Sequence, residues 1–318
     1  MRSTPTIDLH AHPGAFHRPR TGELPLSALE DMQAGGVDAA FFAVVTDGPV
    51  LHRSLHGIRQ VREPHPGELR GVTLALLDRV LVRVREGRLP LALGPTDLAA
   101  PAAQPVALLA LEGGDGLEGD PARVADFHRL GVRSIQLVHY RVNELGDVQT
   151  EAPRHHGLTG AGREVVAEMN RLGMIVDGAH ASPETLHDVL AVSRHPVIVS
   201  HTGPAGRRPE SRRHLADGGL RDVADAGGVI GLWPLARPPL GLDALLDDVE
   251  YACQLVGTDH VGIGTDMAGL RTATALPSYR DFPALRAGLA ARGFAAADLD
   301  RLLGGNLLRV FEQVAGAG

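Results

Sequence analysis

The amino-acid sequence predicts an α/β protein whose strands and helices alternate and close into a single-domain, TIM-like (β/α)₈ barrel. Three observations carry this prediction. Eight short apolar runs rich in β-branched residues recur along the chain, the runs are apolar on both faces, and amphipathic helical patterns separate most of them. Runs of this kind are typical of a buried parallel sheet. Eight such units predict closure into a barrel, with an open doubly wound sheet as the structural alternative.

The elements follow from local patterns taken in chain order. Strands are predicted at residues 6–11, 37–46, 105–111, 131–138, 173–179, 196–200, 228–233 and 260–265. Helical periodicity marks residues 163–172, and Ser182-Pro183 supplies an N-cap followed by proline at the first helical position. No linker divides the chain, so one domain over residues 1–318 is expected.

A long excursion between the second and third strands interrupts the even spacing. It covers residues 47–104, of which 69–86 are predicted to be helical. Residues 94–104 form an Ala/Pro-rich stretch without a period and are predicted to be a loop. The excursion therefore predicts an insertion at the carboxyl end of the second strand.

The charge balance excludes some partners. The 318 residues include 31 basic and 38 acidic side chains, which gives a net charge of -7. Nucleic acids and anionic membrane surfaces select basic proteins, so we expect neither as a partner. No signal peptide and no run of ~18 apolar residues is visible, and this pattern predicts a cytoplasmic protein.

Two residue types narrow the chemistry further. Cys253 is the only cysteine, so a thiolate-rich metal site is excluded, and any metal must bind to histidines and carboxylates. Lysine does not occur in the chain. Its absence excludes Schiff-base chemistry, the Walker lysine and a carboxylated lysine that bridges two metals.

Potential metal ligands recur at the carboxyl ends of the predicted strands. Six of the eight strands end in such side chains: His10 and His12, Glu112, His139, His180, His201 and Asp266. A lone histidine at a strand end is more often a hydrogen-bonded structural residue. The carboxyl ends of barrel strands meet at one rim, however, and so many polar groups are costly to desolvate without a shared partner. The set therefore predicts a metal centre at this rim.

The spacing of these residues predicts two ions. His10 and His12 point to the same face of a strand and can bind one ion, while His180 and His201 come from adjacent strands and can bind a second. Glu112 lies on a strand between the two groups, where it can give one oxygen to each ion. Nitrogen and oxygen ligands without sulfur favour Zn²⁺, with Mn²⁺ and Fe²⁺ as alternatives.

A metal pair predicts hydrolysis. It holds a bridging water and lowers the water's pKa from 15.7 towards roughly 7, so that hydroxide exists at neutral pH. Asp266 is expected to ligate one ion, to accept the proton of the water and to pass it to a leaving amine.

A set of short motifs occurs in order across nearly the whole chain. They lie at residues 110–114, 129–133, 137–139, 157–159, 168–177, 180, 196–198, 200–201, 213, 227–231, 262–264 and 303–306. As a set, these motifs resemble the renal (membrane) dipeptidase family of metallopeptidases. The resemblance implies a (β/α)₈ barrel with two zinc ions that cleaves short dipeptides, often with a D-residue at the C-terminal position. It also suggests a homodimer.

The resemblance implies a role for each matching residue. His10, His12, Glu112 and Asp266 would serve one ion, and Glu112, His180 and His201 the other. His139 would contact the scissile carbonyl oxygen and stabilise the oxyanion, and Arg213 would clamp the free carboxylate of the dipeptide. The chain departs from the family at His12, where the family usually has aspartate.

The predicted function is therefore a dinuclear metal-dependent dipeptidase that uses a metal-bridging hydroxide on L-L and L-D dipeptides. One alternative is a TatD-type metal-dependent deoxyribonuclease, which also begins with His-x-His but requires a basic groove for phosphates. The other is a catalytically silent metal-binding barrel. That alternative requires a missing catalytic group, whereas Asp266 and His139 are both present.

Overall fold

Eight parallel strands form one sheet in the computed structural model, which describes residues 4–13, 27–54, 57–98, 103–235, 241–270 and 274–316. The strands are β1 (Ile7–Ala11), β2 (Ala39–Val45), β3 (Leu51–Ser54), β4 (Gly57–Gln60), β5 (Val106–Glu112), β6 (Val132–Gln136), β7 (Ile175–Asp177), β8 (Ile198–Thr202), β9 (Val229–Leu232) and β10 (Val261–Ile263). The eight-stranded sheet has the order β1-β2-β5-β6-β7-β8-β9-β10, while β3 and β4 form a separate antiparallel hairpin.

The two ends of the sheet meet just beyond β10. The Asp266 amide donates to the carbonyl oxygen of His10 over 2.8 Å, and the His12 amide donates to that of Met267, also over 2.8 Å. Ala11 and Met267 form a parallel bridge. Sequential strand order with this contact between β1 and the end of β10 confirms the predicted barrel over the open sheet.

Helices follow most of the barrel strands. They are α1 (Ser27–Gly35), α2 (Glu68–Arg85), α3 (Arg123–Arg129), α4 (Gly160–Arg171), α5 (Pro183–Val192), α6 (Asp217–Asp225), α7 (Leu242–Val256), α8 (Phe282–Ala291), α9 (Ala296–Asp300) and α10 (Asn306–Ala315). The Ser182 hydroxyl accepts a hydrogen bond from the Thr185 amide, which is the predicted cap of α5. Within the described ranges, every helix is too short or too polar to cross a bilayer.

All eight predicted barrel strands are present, and the main difference lies in the excursion after β2. The predicted helix at 69–86 is α2, but the β3–β4 hairpin was not predicted. Its strands read Leu-His-Arg-Ser and Gly-Ile-Arg-Gln and are only partly buried, so they lack the apolar run that marks the barrel strands. The predicted loop at 94–104 contains a short 3₁₀ turn at Pro95–Leu98, and residues 99–102 lie outside the described part.

Alternation along the strands divides the core into two layers. Phe41 of β2 packs in the barrel interior with Leu108 of β5, whereas its neighbour Phe42 packs between the strands and the surrounding helices. Phe311 and Val314 of α10 belong to the interior layer, together with residues from the amino ends of the strands such as Ile7. Helix α10 therefore covers the amino end of the barrel, which leaves the carboxyl rim for the polar residues.

Candidate metal centre

The residues at the strand ends converge on the carboxylate of Glu112, the last residue of β5. Glu112 Oε1 lies 3.3 Å from His139 Nε2, 3.4 Å from His10 Nε2, 3.5 Å from His180 Nε2 and 3.7 Å from His201 Nε2. Glu112 Oε2 lies 3.4 Å from His12 Nε2, which in turn lies 3.2 Å from Asp266 Oδ1. All seven residues are buried. The structure thus brings together every predicted metal ligand, with His139 beside them.

The cluster has the properties expected of a cation site. In each of two groups of residues, the ligand atoms lie within 4.8 Å of one another. One group consists of His10, His12 and Glu112, and the other of Glu112, His139 and His180. Within the described part of the chain, His10 Nε2 is buried without a hydrogen-bond partner, and His180 Nε2 faces His201 Nε2 at 3.0 Å. A cation between such atoms would satisfy them, so these nitrogen and oxygen donors fit a site for divalent metal.

The electrostatics favour ligand-competent protonation states at Glu112, His180 and His201. Burial raises the pKa of Glu112, but the surrounding histidines, His139 and His10 foremost, outweigh it and hold this pKa well below its usual range. Burial, together with nearby positive charges, drives the pKa of His180 and of His201 well below the ordinary value, so both imidazoles are neutral. Although burial lowers the pKa of His10, the charge of Glu112 raises it to about 9. A proton therefore competes with a cation at His10.

The backbone around the centre is shaped to hold these side chains. His180 and Asp266 both adopt left-handed conformations, with φ values of 66° and 50°. Such values are uncommon for residues other than glycine and often occur at functional sites. A Cβ on Gly269 would lie 1.9 Å from Asp266 Oδ1 and 2.6 Å from His12 Cδ2, so only glycine fits there.

Hydrogen bonds that involve β1 and β2 orient the His12 side chain and connect β1 to the segment after β10. His12 Nδ1 lies 2.9 Å from the carbonyl oxygen of Ala43, so it is Nδ1 that donates and Nε2 that faces Glu112. Asp8, two residues before His10, accepts hydrogen bonds from the amide and the hydroxyl of Thr265 and from the hydroxyl of Tyr279. Asp8 thereby ties β1 to the segment that carries Asp266.

His139 has an acidic partner that the sequence analysis did not identify. Asp47 Oδ1 lies 2.7 Å from His139 Nδ1, and Asp47 Oδ2 accepts a hydrogen bond from the Tyr140 amide over 3.0 Å. Burial lowers the pKa of His139, but the charges of Asp47 and Glu112 outweigh it and raise this pKa. The sequence does place a carboxylate here, because Asp47 follows β2 at the same rim as the predicted ligands.

We expect Asp47→Asn to lower kcat and to leave KM nearly unchanged. Asparagine no longer fixes His139 in the orientation that points Nε2 at the cluster, and partners of this kind typically change activity by about 10- to 100-fold. Steady-state kinetics on one of the dipeptides expected from the sequence would measure the effect. The matched control is Asp38→Asn at the opposite end of β2, where the carboxylate accepts a hydrogen bond from the Thr6 amide. An equal loss of kcat in both variants would remove the special role of Asp47.

Arg213 lies beside the cluster in a cavity of about 810 Å³, whose lining also includes Tyr140, Trp233 and residues of the β3–β4 hairpin. Its guanidinium carbon lies 5.0 Å from the centre of the Trp233 ring, and Nη1 donates to Oε1 of Gln149. Nε and Nη2, which form one edge of the guanidinium, are buried and have no hydrogen-bond partner among the residues that the structure describes. A carboxylate can accept two hydrogen bonds from such an edge.

Neighbouring arginines differ from Arg213 in their contacts. Arg207 and Arg208 both form ion pairs with Asp248 of α7, and Arg212 is exposed. By their position in the sequence, all three are also candidates for the carboxylate clamp. The buried, unsatisfied edge of Arg213 favours Arg213 among them.

A (β/α)₈ barrel with clustered histidines and carboxylates at its carboxyl rim is typical of metal-dependent hydrolases. The family model described as membrane dipeptidase (peptidase family M19) matches residues 1–317. The chain belongs to this family of metallopeptidases.

Individual relatives agree with this assignment. Dipeptidase aclJ of Aspergillus oryzae is 37% identical over 216 residues, which are 65% of this chain and 51% of that protein. Dipeptidase 3 of Rattus norvegicus is 33% identical over 222 residues, which are 65% of this chain and 44% of that protein. The chain thus spans about half the length of the curated relatives it matches.

A solved structure with the same fold is that of a metallo peptidase from Rhodobacter sphaeroides, liganded with a phosphinate mimic of the dipeptide L-Ala-D-Ala. It superposes with a TM-score of 0.86 at 24% identity and covers 98% of this chain and 100% of that one. The probable dipeptidase PvdM from Pseudomonas aeruginosa gives a TM-score of 0.81 at 21% identity, over 99% and 96% of the two chains. At these identities the likeness shows the shared fold.

Proposed function

We propose that this protein is a dinuclear metal-dependent dipeptidase that hydrolyses the amide bond of short L-L and L-D dipeptides. The observation that carries the proposal is the single carboxylate of Glu112, which five imidazole Nε2 atoms approach to between 3.3 and 3.7 Å. Membership of the membrane dipeptidase family supports the same activity and favours it over the deoxyribonuclease alternative.

Two divalent ions, which we propose to be zinc, would share Glu112. The first would be held by His10, His12, Glu112 and Asp266, and the second by Glu112, His180 and His201. When bound, such a pair supplies Lewis-acid chemistry, since it lowers the pKa of water and polarises a carbonyl group. The all-nitrogen-and-oxygen donor set supports zinc, and it leaves Mn²⁺ and Fe²⁺ to be compared by experiment.

The protein's own residues supply the remaining steps. Asp266, at the edge of the cluster, accepts the proton of the attacking water and delivers it to the leaving amine. His139, held through Nδ1 by Asp47, donates from Nε2 to the carbonyl oxygen as negative charge develops there. The open edge of Arg213 binds the C-terminal carboxylate of the dipeptide, which places the scissile bond at the cluster and excludes longer peptides.

Arg213→Ala is expected to raise KM for dipeptides by about 100-fold, equivalent to ~3 kcal/mol, because charge-assisted hydrogen bonds to the carboxylate are lost. A dipeptide with a C-terminal amide should bind poorly to the wild type and equally poorly to the variant. Kinetics on the acid and amide forms of one dipeptide would measure this. Arg212→Ala, the exposed neighbour, should leave KM unchanged, and an effect in that variant alone would move the clamp to Arg212.

The proposed function is tested by hydrolysis of a dipeptide panel with both stereoisomers at the second residue. We expect release of amino acids from L-Ala-L-Ala and L-Ala-D-Ala, loss of activity on chelation and recovery with zinc. Silence on the panel with metal bound would favour the silent metal-binding barrel, and cleavage of DNA would favour the deoxyribonuclease. The cytoplasmic location, the homodimer and the domain bounds 1–318 stay predictions.

A further inference from the structure

The side chain of Ser200 on β8 lies between the two halves of the metal centre. Ser200 Oγ is 3.0 Å from His201 Nδ1 and 3.4 Å from His10 Nδ1. His10 belongs to the first proposed ion site and His201 to the second. Ser200 therefore contacts one histidine of each site on the side that faces away from Glu112.

A third neighbour, Asp177, places a carboxylate beside Ser200. The carboxylate of Asp177, at the end of β7, accepts hydrogen bonds from the amides of Ala179 and Ser200 over 2.9 and 3.0 Å. Burial raises the pKa of Asp177, and the Ser200 side chain opposes that rise. A hydroxyl has one proton to donate and two lone pairs, whereas a carboxylate can only accept. One hydroxyl proton cannot serve both ring nitrogens, and a proton directed towards Asp177 leaves both lone pairs for the two histidines.

This arrangement of Ser200 would set the tautomer of both rings. To bond with Ser200, His10 and His201 must each carry a proton on Nδ1, so that the lone pair of each neutral ring lies on Nε2. Those Nε2 atoms lie 3.4 and 3.7 Å from Glu112 Oε1. We propose that Ser200 is a positioning residue that orients one ligand of each metal site, so that the two sites share an outer partner as well as Glu112.

The packing around Ser200 keeps it in place. A Cβ on Gly231 of β9 or on Gly264 after β10 would lie 1.9 Å from the carbonyl oxygen of Ser200. The neighbouring backbones therefore approach without intervening side chains, and Ser200 itself is 1% exposed. The hydroxyl can move little relative to the two imidazoles, which is the condition for a fixed tautomer.

The test measures zinc binding and ring tautomers rather than turnover, and it rests on the proposed function. Zinc affinity is measured by competition with a chromophoric chelator for the wild type, Ser200→Ala and Ser134→Ala. Ser134 is a buried strand serine whose hydroxyl donates to the Ile175 carbonyl oxygen, so it controls for the loss of a buried hydroxyl. We expect Ser200→Ala to lower the zinc affinity of both sites by about 10- to 100-fold and Ser134→Ala to leave the zinc affinity unchanged.

The outcomes separate this inference from the proposed function. If the wild type binds no zinc, both the role of Ser200 and the proposed function are wrong. A second result is that the wild type binds two zinc ions while Ser200→Ala binds both with unchanged affinity, or with weaker affinity for one ion alone. Either form of this result would overturn only the role of Ser200. Imidazole nitrogen NMR of the zinc-loaded wild type adds a test that needs no variant. His10 and His201 should both carry their proton on Nδ1, and zinc bound through Nδ1 of either ring would overturn the proposal.

Discussion

Glu112→Gln is expected to abolish the metal centre and to lower kcat/KM by about 10³-fold or more, which corresponds to a loss of about 4 kcal/mol of transition-state stabilisation. Glutamine has the same shape, but it cannot supply the charge that the five surrounding imidazoles and the two proposed cations require. Both ions should be lost on dialysis, because the carboxylate would be common to the two proposed sites. Elemental analysis and dipeptide kinetics on the same preparation would measure both effects.

The control for this substitution is Glu168→Gln on α4, where the carboxylate pairs only with Arg171 at the surface. It should retain its metal and its activity. The thermal midpoint gives a second readout, since zinc should stabilise the wild type by ~2.7 kcal/mol at 100 times its dissociation constant and should not stabilise Glu112→Gln. A glutamine variant with full zinc content would contradict the shared role of Glu112.

Asp266→Asn is expected to lower kcat by roughly 10²- to 10⁴-fold, because the proton acceptor for the attacking water is removed. KM should change little, since we propose that Arg213 and not Asp266 binds the carboxylate of the substrate. One asparagine oxygen can still face His12 Nε2, which lies 3.2 Å from Asp266 Oδ1, so part of the metal binding should survive. The kinetic constants and the zinc content together separate the two roles of Asp266.

Asp259→Asn is a suitable control for Asp266→Asn, because Asp259 lies in the turn before β10 and pairs with Arg301. Its kinetics should match the wild type. Near-normal turnover in Asp266→Asn would refute the proton-transfer role. A loss of turnover that disappears when excess zinc is added would assign Asp266 to metal binding alone.

The barrel and most of the cluster could be predicted because one rule of the fold connects sequence to place. Each buried parallel strand is a recognisable apolar run, and its carboxyl end lies at one rim, so Glu112 and His180 could be placed together although they are far apart in sequence. The rule also covers Asp47, which directly follows the predicted strand at residues 37–46, but its role depends on its contact with His139, which the sequence does not encode.

Other features depend on contacts that no local pattern encodes. The β3–β4 hairpin is short and partly exposed, so its residues carry no clear period. Arg213 could not be separated from Arg208 because the pairing of Arg208 with Asp248 depends on how α7 packs. The place of Ser200 between His10 and His201 depends on the positions of β1 and β8 across the barrel, which sequence alone does not give.

The central claim is that Glu112 joins two cations at the carboxyl rim of the barrel. The most direct measurement is anomalous X-ray diffraction at the zinc edge from crystals of the zinc-loaded protein. We predict two peaks that both contact Glu112, one also beside His10 and His12 and the other beside His180 and His201. A single peak, or peaks that do not contact Glu112, would contradict the account.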